Sequence, residues 1–160
     1  ALRLNPGHAS TQTNVAQARQ ERARELFLAG RSLEAADPGG ALTRYRAAAQ
    51  DLPDWYKPVA REAWLLSTAT IDSLRDGGRA IRLAQQAIAL RGSPDAYLQF
   101  VLSAALAESG QFGAAAAEAE KALSILASGE EPDMAAEIVR SLALFRAARP
   151  LRQQVERSNR

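Results

Sequence analysis

Apolar residues recur at helical spacing along most of the chain. In residues 108–123, ESGQFGAAAAEAEKAL, the positions Ala115, Ala119, Ala122 and Leu123 fall at i, i+4, i+7 and i+8 and share one helix face. Glu118, Glu120 and Lys121 lie largely off that face. Gly110 interrupts the pattern, so residues 96–109, AYLQFVLSAALAES, read as one helix and the alanine segment as a second, antiparallel to it across a short turn. RAIRLAQQAIAL repeats the small-residue set with Ala80, Ala84 and Ala87, and ALTRYRAAAQDLP repeats it with Ala41, Tyr45 and Ala48. Small residues at that spacing predict helix backbones in close approach, with larger residues of the adjoining helix filling the space. No alternating β-branched run gives a strand.

The first alanines of the three sets, Ala41, Ala80 and Ala115, stand 39 and 35 residues apart. A repeat of about 34 residues built from two helices marks tetratricopeptide arrays. The chain resembles the tetratricopeptide repeat (TPR) family over roughly residues 1–150. The last repeat carries the pattern best, with Leu102, Ser103, Leu106, Gly110, Ala115, Ala119 and Ala122. The repeat before it has Trp64, Ile71, Ala80, Ala84 and Ala87, with RDGG as its turn; Ala41, Tyr45, Ala48 and Pro53 mark the earlier one. ALRLNP resembles the end of a preceding second helix and its closing proline, and EEPDMAAEIVRSLALFRAARPLRQ resembles the closing helix of TPR tails on larger bacterial proteins. The resemblance implies an all-α, right-handed superhelical solenoid of antiparallel helix pairs with a C-terminal capping helix. Its parts are the end of a preceding helix and a turn (1–8), helix pairs over 9–52, 54–92 and 94–127, a capping helix over 131–149, and a basic frayed tail over 150–160. An opening that is only the end of a repeat is expected of a chain cut from, or following, a longer array.

The 160 residues are 47% hydrophobic and 6% aromatic, which suits a helical domain with its own core. No run approaches the roughly 18 apolar residues of a membrane span, and no signal peptide opens the chain. As given it is expected to be soluble, with cytoplasm and periplasm both open. Cysteine is absent, which excludes disulfides and thiolate metal sites. His8, expected in a turn, is the only histidine, so a Ser–His–Asp arrangement would have to use it. Glu118 and Glu120 read as a solvated face, and Glu130, Glu131 and Asp133 as a helix start rather than a cation site. RDGG and DPGG are glycine turns without a P-loop pattern. No cofactor or metal is implied, and the chain is expected to be non-enzymatic.

The resemblance implies a binding surface along the first helices of the pairs. Carried onto this sequence, the family's groove positions are Thr13, Asn14, Gln17 and Gln20, then Leu65, Ala69 and Asp72, then Tyr97, Phe100, Ala104 and Glu108. Tyr97 and Phe100 form an i, i+3 anchor, unless Phe100 belongs to the core. The lysines, arginine and asparagines of a chaperone clamp are not reproduced, since Thr13, Gln17, Glu62, Leu66, Tyr97 and Val101 stand at those positions. Trp64 is expected in the core, while Trp55 and Tyr56 either cover an exposed end or mark a partner contact. Six arginines against one acid, Glu156, lie between Arg140 and Arg160, and Arg146, Arg149 and Arg152 form a second candidate contact, for acidic headgroups or nucleic acid. The functional expectation is a protein-interaction scaffold for a peptide or protein ligand, with self-association through the N-terminal end. The alternative is the soluble tail of a larger, glycosyltransferase-like envelope enzyme, with membrane contact only through a missing part of the polypeptide. An RNA-binding helical repeat is weaker, because the net charge is only +2.

Overall fold

Three aspartates open three of the helices. In the structure, a computed structural model that describes the backbone of residues 6–126 and 131–153 and side chains from residue 12 on, the carboxylates of Asp37, Asp76 and Asp95 accept from the backbone N–H of Gly40, Arg79 and Leu98 at 2.9, 2.8 and 3.1 Å. Each fills an orphan donor of a first helical turn. They begin α2 (Pro38–Asp51), α4 (Gly77–Arg91) and α5 (Ala96–Glu108). The DPGG and RDGG turns are thus helix starts. The other helices are α1 (Pro6–Leu33), α3 (Tyr56–Thr68), α6 (Phe112–Ile125) and α7 (Pro132–Arg146), and a 3-10 turn covers Asp72–Leu74. No strand occurs among the described residues.

The helices stack as antiparallel pairs, α1 with α2, α3 with α4 and α5 with α6, and α7 closes the stack against α6. The pairs join through α2 on α3, α3 on α5 and α4 on α5. The alanine faces lie at these contacts: Ala41 and Ala48, Ala80, Ala84 and Ala87, and Ala115, Ala119 and Ala122 are all buried. Ile138, Leu142 and Phe145 of α7 join the same core as Phe100, Val101 and Ala104 of α5. Two glycines mark close approaches between helices. A Cβ on Gly30 of α1 would stand 2.7 Å from the Tyr45 ring of α2, and one on Gly77 would stand 2.8 Å from the Ser109 backbone nitrogen.

Charges tie the pairs together as well. Glu62 of α3 is buried and paired with Arg46 of α2 and Arg79 of α4, each at 2.8 Å. At the far end, Glu108 receives Arg75 Nε at 2.9 Å and lies 2.6 Å from Arg152 Nη1.

The chain ends depart from the sequence reading. α1 begins at Pro6, so His8 sits in its first turns rather than in a turn between elements; residues 1–5 lie outside the described residues. At 28 residues α1 is about 42 Å long against about 21 Å for the 14 residues of α2. Its first half therefore overhangs, and residues 12–22 are all exposed. Residues 151–153 are half-buried rather than frayed. Ala148 turns the chain back with a left-handed φ of 52°, Leu151 packs on the core, and Gln153 N–H donates to Thr68 C=O at 2.8 Å. Residues 154–160 lie outside the described residues. Among the described residues no helix is long and apolar enough to cross a membrane.

Candidate functional site

The first helices of the pairs, with α7, frame two adjoining cavities. The larger, about 770 Å³, is walled by Trp64 of α3, Phe100 of α5 and the Glu131–Arg140 stretch of α7. The other, about 610 Å³, lies between Phe27 and Arg31 of α1, Tyr56, Lys57 and Ala60 of α3, and the α5 start. Arg61, Tyr97, Glu131 and Met134 line both. On α3 the lining residues 56, 57, 60, 61 and 64 fall at i, i+1, i+4, i+5 and i+8, one continuous stripe.

A hydrogen-bonded network sits at the junction. Glu34, just after α1, accepts Arg61 Nε at 2.8 Å, a second guanidinium nitrogen of Arg61, and the Tyr45 hydroxyl. Arg61 Nη1 also donates to the Tyr97 hydroxyl oxygen at 2.9 Å. One carboxylate and one guanidinium thus connect the α1 end with α2, α3 and α5. Burial opposes the Arg61 charge, but Tyr97 and Glu34 outweigh it and hold its pKa above the ordinary arginine value. Burial, then the Glu34 carboxylate, push the Tyr45 phenol well above the ordinary tyrosine range. Burial raises Tyr97 as well, with Arg61 opposing.

These shifts make stability sensitive to alkali. An unfolded tyrosine releases its proton near pH 10. Above that point the unfolded state holds fewer protons than the native one, so stability falls as pH rises. Urea midpoints should be flat from pH 7 to 9. Above about pH 10 stability should drop by up to about 1.4 kcal/mol per pH unit for each such tyrosine. Tyr45→Phe should be less stable at neutral pH and show roughly half the alkaline slope, Tyr97 supplying the rest. An unchanged slope in the variant would contradict the assignment.

The free charges around the cavities are segregated. Among the described residues Arg31 and Lys57 make no hydrogen bond or ion pair, and nor do the side chains of Glu131, Asp133, Glu137 and Arg140. Arg61 is held by Glu34, and Arg91 lies 3.5 Å from Asp95 with its guanidinium 5.7 Å from the Tyr56 ring centre. Trp55 is half-buried against Phe27, ring centres 4.9 Å apart, and so covers that end of the core. Trp64 is buried as expected.

No protein-family model, curated protein or solved structure matches the chain. What the chain has in common with known architectures is therefore its shape, a TPR-like stack of helix pairs.

Of the eleven groove positions taken from the sequence, Tyr97 and Phe100 line one or both of these two cavities and the other nine line neither. Thr13, Asn14, Gln17 and Gln20 sit on the exposed overhang of α1, where Gln17 donates to Glu21 at 3.1 Å. Leu65, Ala69 and Ala104 are buried and present no surface to a ligand, and Phe100 is a core residue that also walls the larger cavity. Asp72 lies beyond the end of α3, beside Arg75, and Glu108 is engaged by Arg75 and Arg152. Two of the three arginines Arg146, Arg149 and Arg152 are committed internally, Arg146 to Glu120 at 2.9 Å and Arg152 to Glu108; of the three, the Arg149 side chain makes no such contact with the described residues. The sequence reading missed Phe27, Arg31, Lys57, Arg61 and Met134. The end of α3 at Thr68 bounds the helix on which two of them, Lys57 and Arg61, lie. With that end known, the exposed stripe of α3 runs through its first half, and the adjoining half of α1 is its last.

Proposed function

We propose that the chain is a non-catalytic, TPR-like scaffold that holds a peptide segment of a partner protein in the cleft across α1, α3, α5 and α7. The observation that carries this reading is the pair of adjoining cavities with a shared Arg61–Tyr97 floor, partly apolar walls and uncommitted charges at the rim. A concave surface lined by first helices suits an extended or helical segment. The repeat spacing and the buried alanine faces support membership of the TPR family. Were the chain a tail of a larger enzyme, the bound segment would belong to that enzyme and the role would be to position it. Nucleic acid fits less well, since three free carboxylates of α7 stand among the cations.

The test is selection of peptides from a random 12-residue display library on the full chain, followed by fluorescence anisotropy of the enriched sequences. Lys57→Glu and Tyr97→Ala should weaken binding at least tenfold, with helicity and urea midpoint checked for each. Arg44→Glu, on the exposed side of α2, should leave binding unchanged. Peptides that bind all three variants alike would place binding outside the cleft.

A further inference from the structure

We propose that the cleft reads the charge direction of its ligand: an acidic residue seats against Arg31 and Lys57, and a basic residue against Glu131, Asp133 and Glu137. This rests on the peptide-binding reading above and adds the chemistry of the partner. The α1–α3 cavity holds two free cations, on two different helices, against the single free acid Glu131. The α7 cavity holds three free acids against the single free cation Arg140. Several other charges pair across helices, as at Arg46–Glu62–Arg79, Arg75–Glu108 and Arg22–Asp51. Around the cleft free cations predominate on the α1–α3 side and free acids on the α7 side, with Glu131 common to both cavities. Low-dielectric concave walls concentrate the field of such charges toward a ligand between them.

Between the two charged ends the floor is less polar, with Trp64, Tyr97, Phe100 and Met134. The ligand is accordingly an extended segment with an acid at one end, a large apolar side chain in the middle and a base at the other end. Two helix spacings of about 10 Å separate the ends, which about six extended residues would cross. A ligand in the reverse orientation would set acid against acid and base against base.

The same display library decides this, selected in parallel on the wild type, on Arg31→Glu/Lys57→Glu and on Glu131→Lys/Glu137→Lys. Arg31 lies on α1, Lys57 on α3, Glu131 at the start of α7 and Glu137 on it, and all four are exposed, so folding should survive; urea midpoints check that. Wild-type peptides should carry Asp or Glu about six residues from Lys or Arg. The first variant should lose the acidic preference and bind wild-type peptides at least tenfold more weakly, and the second should lose the basic one. Wild-type affinity should fall between 50 and 500 mM NaCl. Peptides that depend on Tyr97 but show no charge polarity would overturn this inference and leave the scaffold reading standing. No enrichment, or binding indifferent to Tyr97→Ala, would overturn both. Enriched sequences resembling the chain's own residues 154–160, or a dimer in sedimentation that is lost in the charge variants, would give the cleft to this chain itself and overturn the foreign ligand.

Discussion

Arg61→Ala should lower the unfolding free energy by about 3 kcal/mol, one of the two largest single-residue effects expected in this chain. The side chains of Arg61 and Glu34 are only 15% and 12% exposed, so neither charge is well solvated in place. Removing the guanidinium leaves Glu34 facing an apolar surround with the Tyr45 hydroxyl as its remaining donor, and leaves the Tyr97 hydroxyl without Arg61. The loss exceeds that of an exposed ion pair, which is typically below about 1 kcal/mol. A double-mutant cycle separates the causes. Arg61→Met/Glu34→Gln should be more stable than Arg61→Met alone, because the stranded carboxylate is gone. If the double variant is less stable than the single by the full effect of Glu34→Gln, the two residues act independently and the network is not what joins the pairs. The same substitution removes part of the cleft floor, so peptide affinity and stability should fall together.

Helix content and the buried faces were readable because both are local. Alanines at i, i+4 and i+7 specify a face whatever lies opposite, and Asp37, Asp76 and Asp95 carry their own capping chemistry. The cleft was not readable, because the face a helix leaves open depends on which other helices pack against it. Leu65 and Ala69 are buried and Asp72 lies beyond the end of α3 at Thr68, while the open stripe runs through Tyr56, Lys57, Ala60 and Arg61. α1 was misjudged for a related reason. Its register on α2 is set by Gly30 under the Tyr45 ring and Arg22 against Asp51, contacts 15 and 29 residues apart in sequence, so the working part of the helix is its second half.

The charged residues illustrate the same limit. Glu62 reads from sequence as a mismatch to a clamp position, and in the fold it is the buried anion between Arg46 and Arg79. Arg152 reads as part of a free basic tail, yet it pairs with Glu108 at the end of α5. Composition near the chain end was right about charge and silent about its destination. A long-range pair leaves no periodic trace, whereas a packed face does.

The packed face carries the other large effect. Ala119→Leu should destabilise the chain by about 3 kcal/mol, at the upper end for overpacked cores. Ala119 is fully buried in the middle of α6, which lies between α5 and α7, so the added carbons meet neighbours from both sides. Local relaxation is limited because Ala115 and Ala122, one turn to either side, are equally buried. A shift of α6 away from α5 would also loosen the seat of Ile138, Leu142 and Phe145, which share that core. Ala117→Leu, two residues away on the exposed side, adds the same carbons and should stay within about 0.5 kcal/mol of wild type. Urea unfolding of both, with the denaturant slope unchanged, isolates the packing contribution. A near-neutral Ala119→Leu would mean that the α5–α6–α7 layer holds unused space. The alanines would then be there for helix propensity alone, and α7 would be free to shift the acidic wall of the cleft.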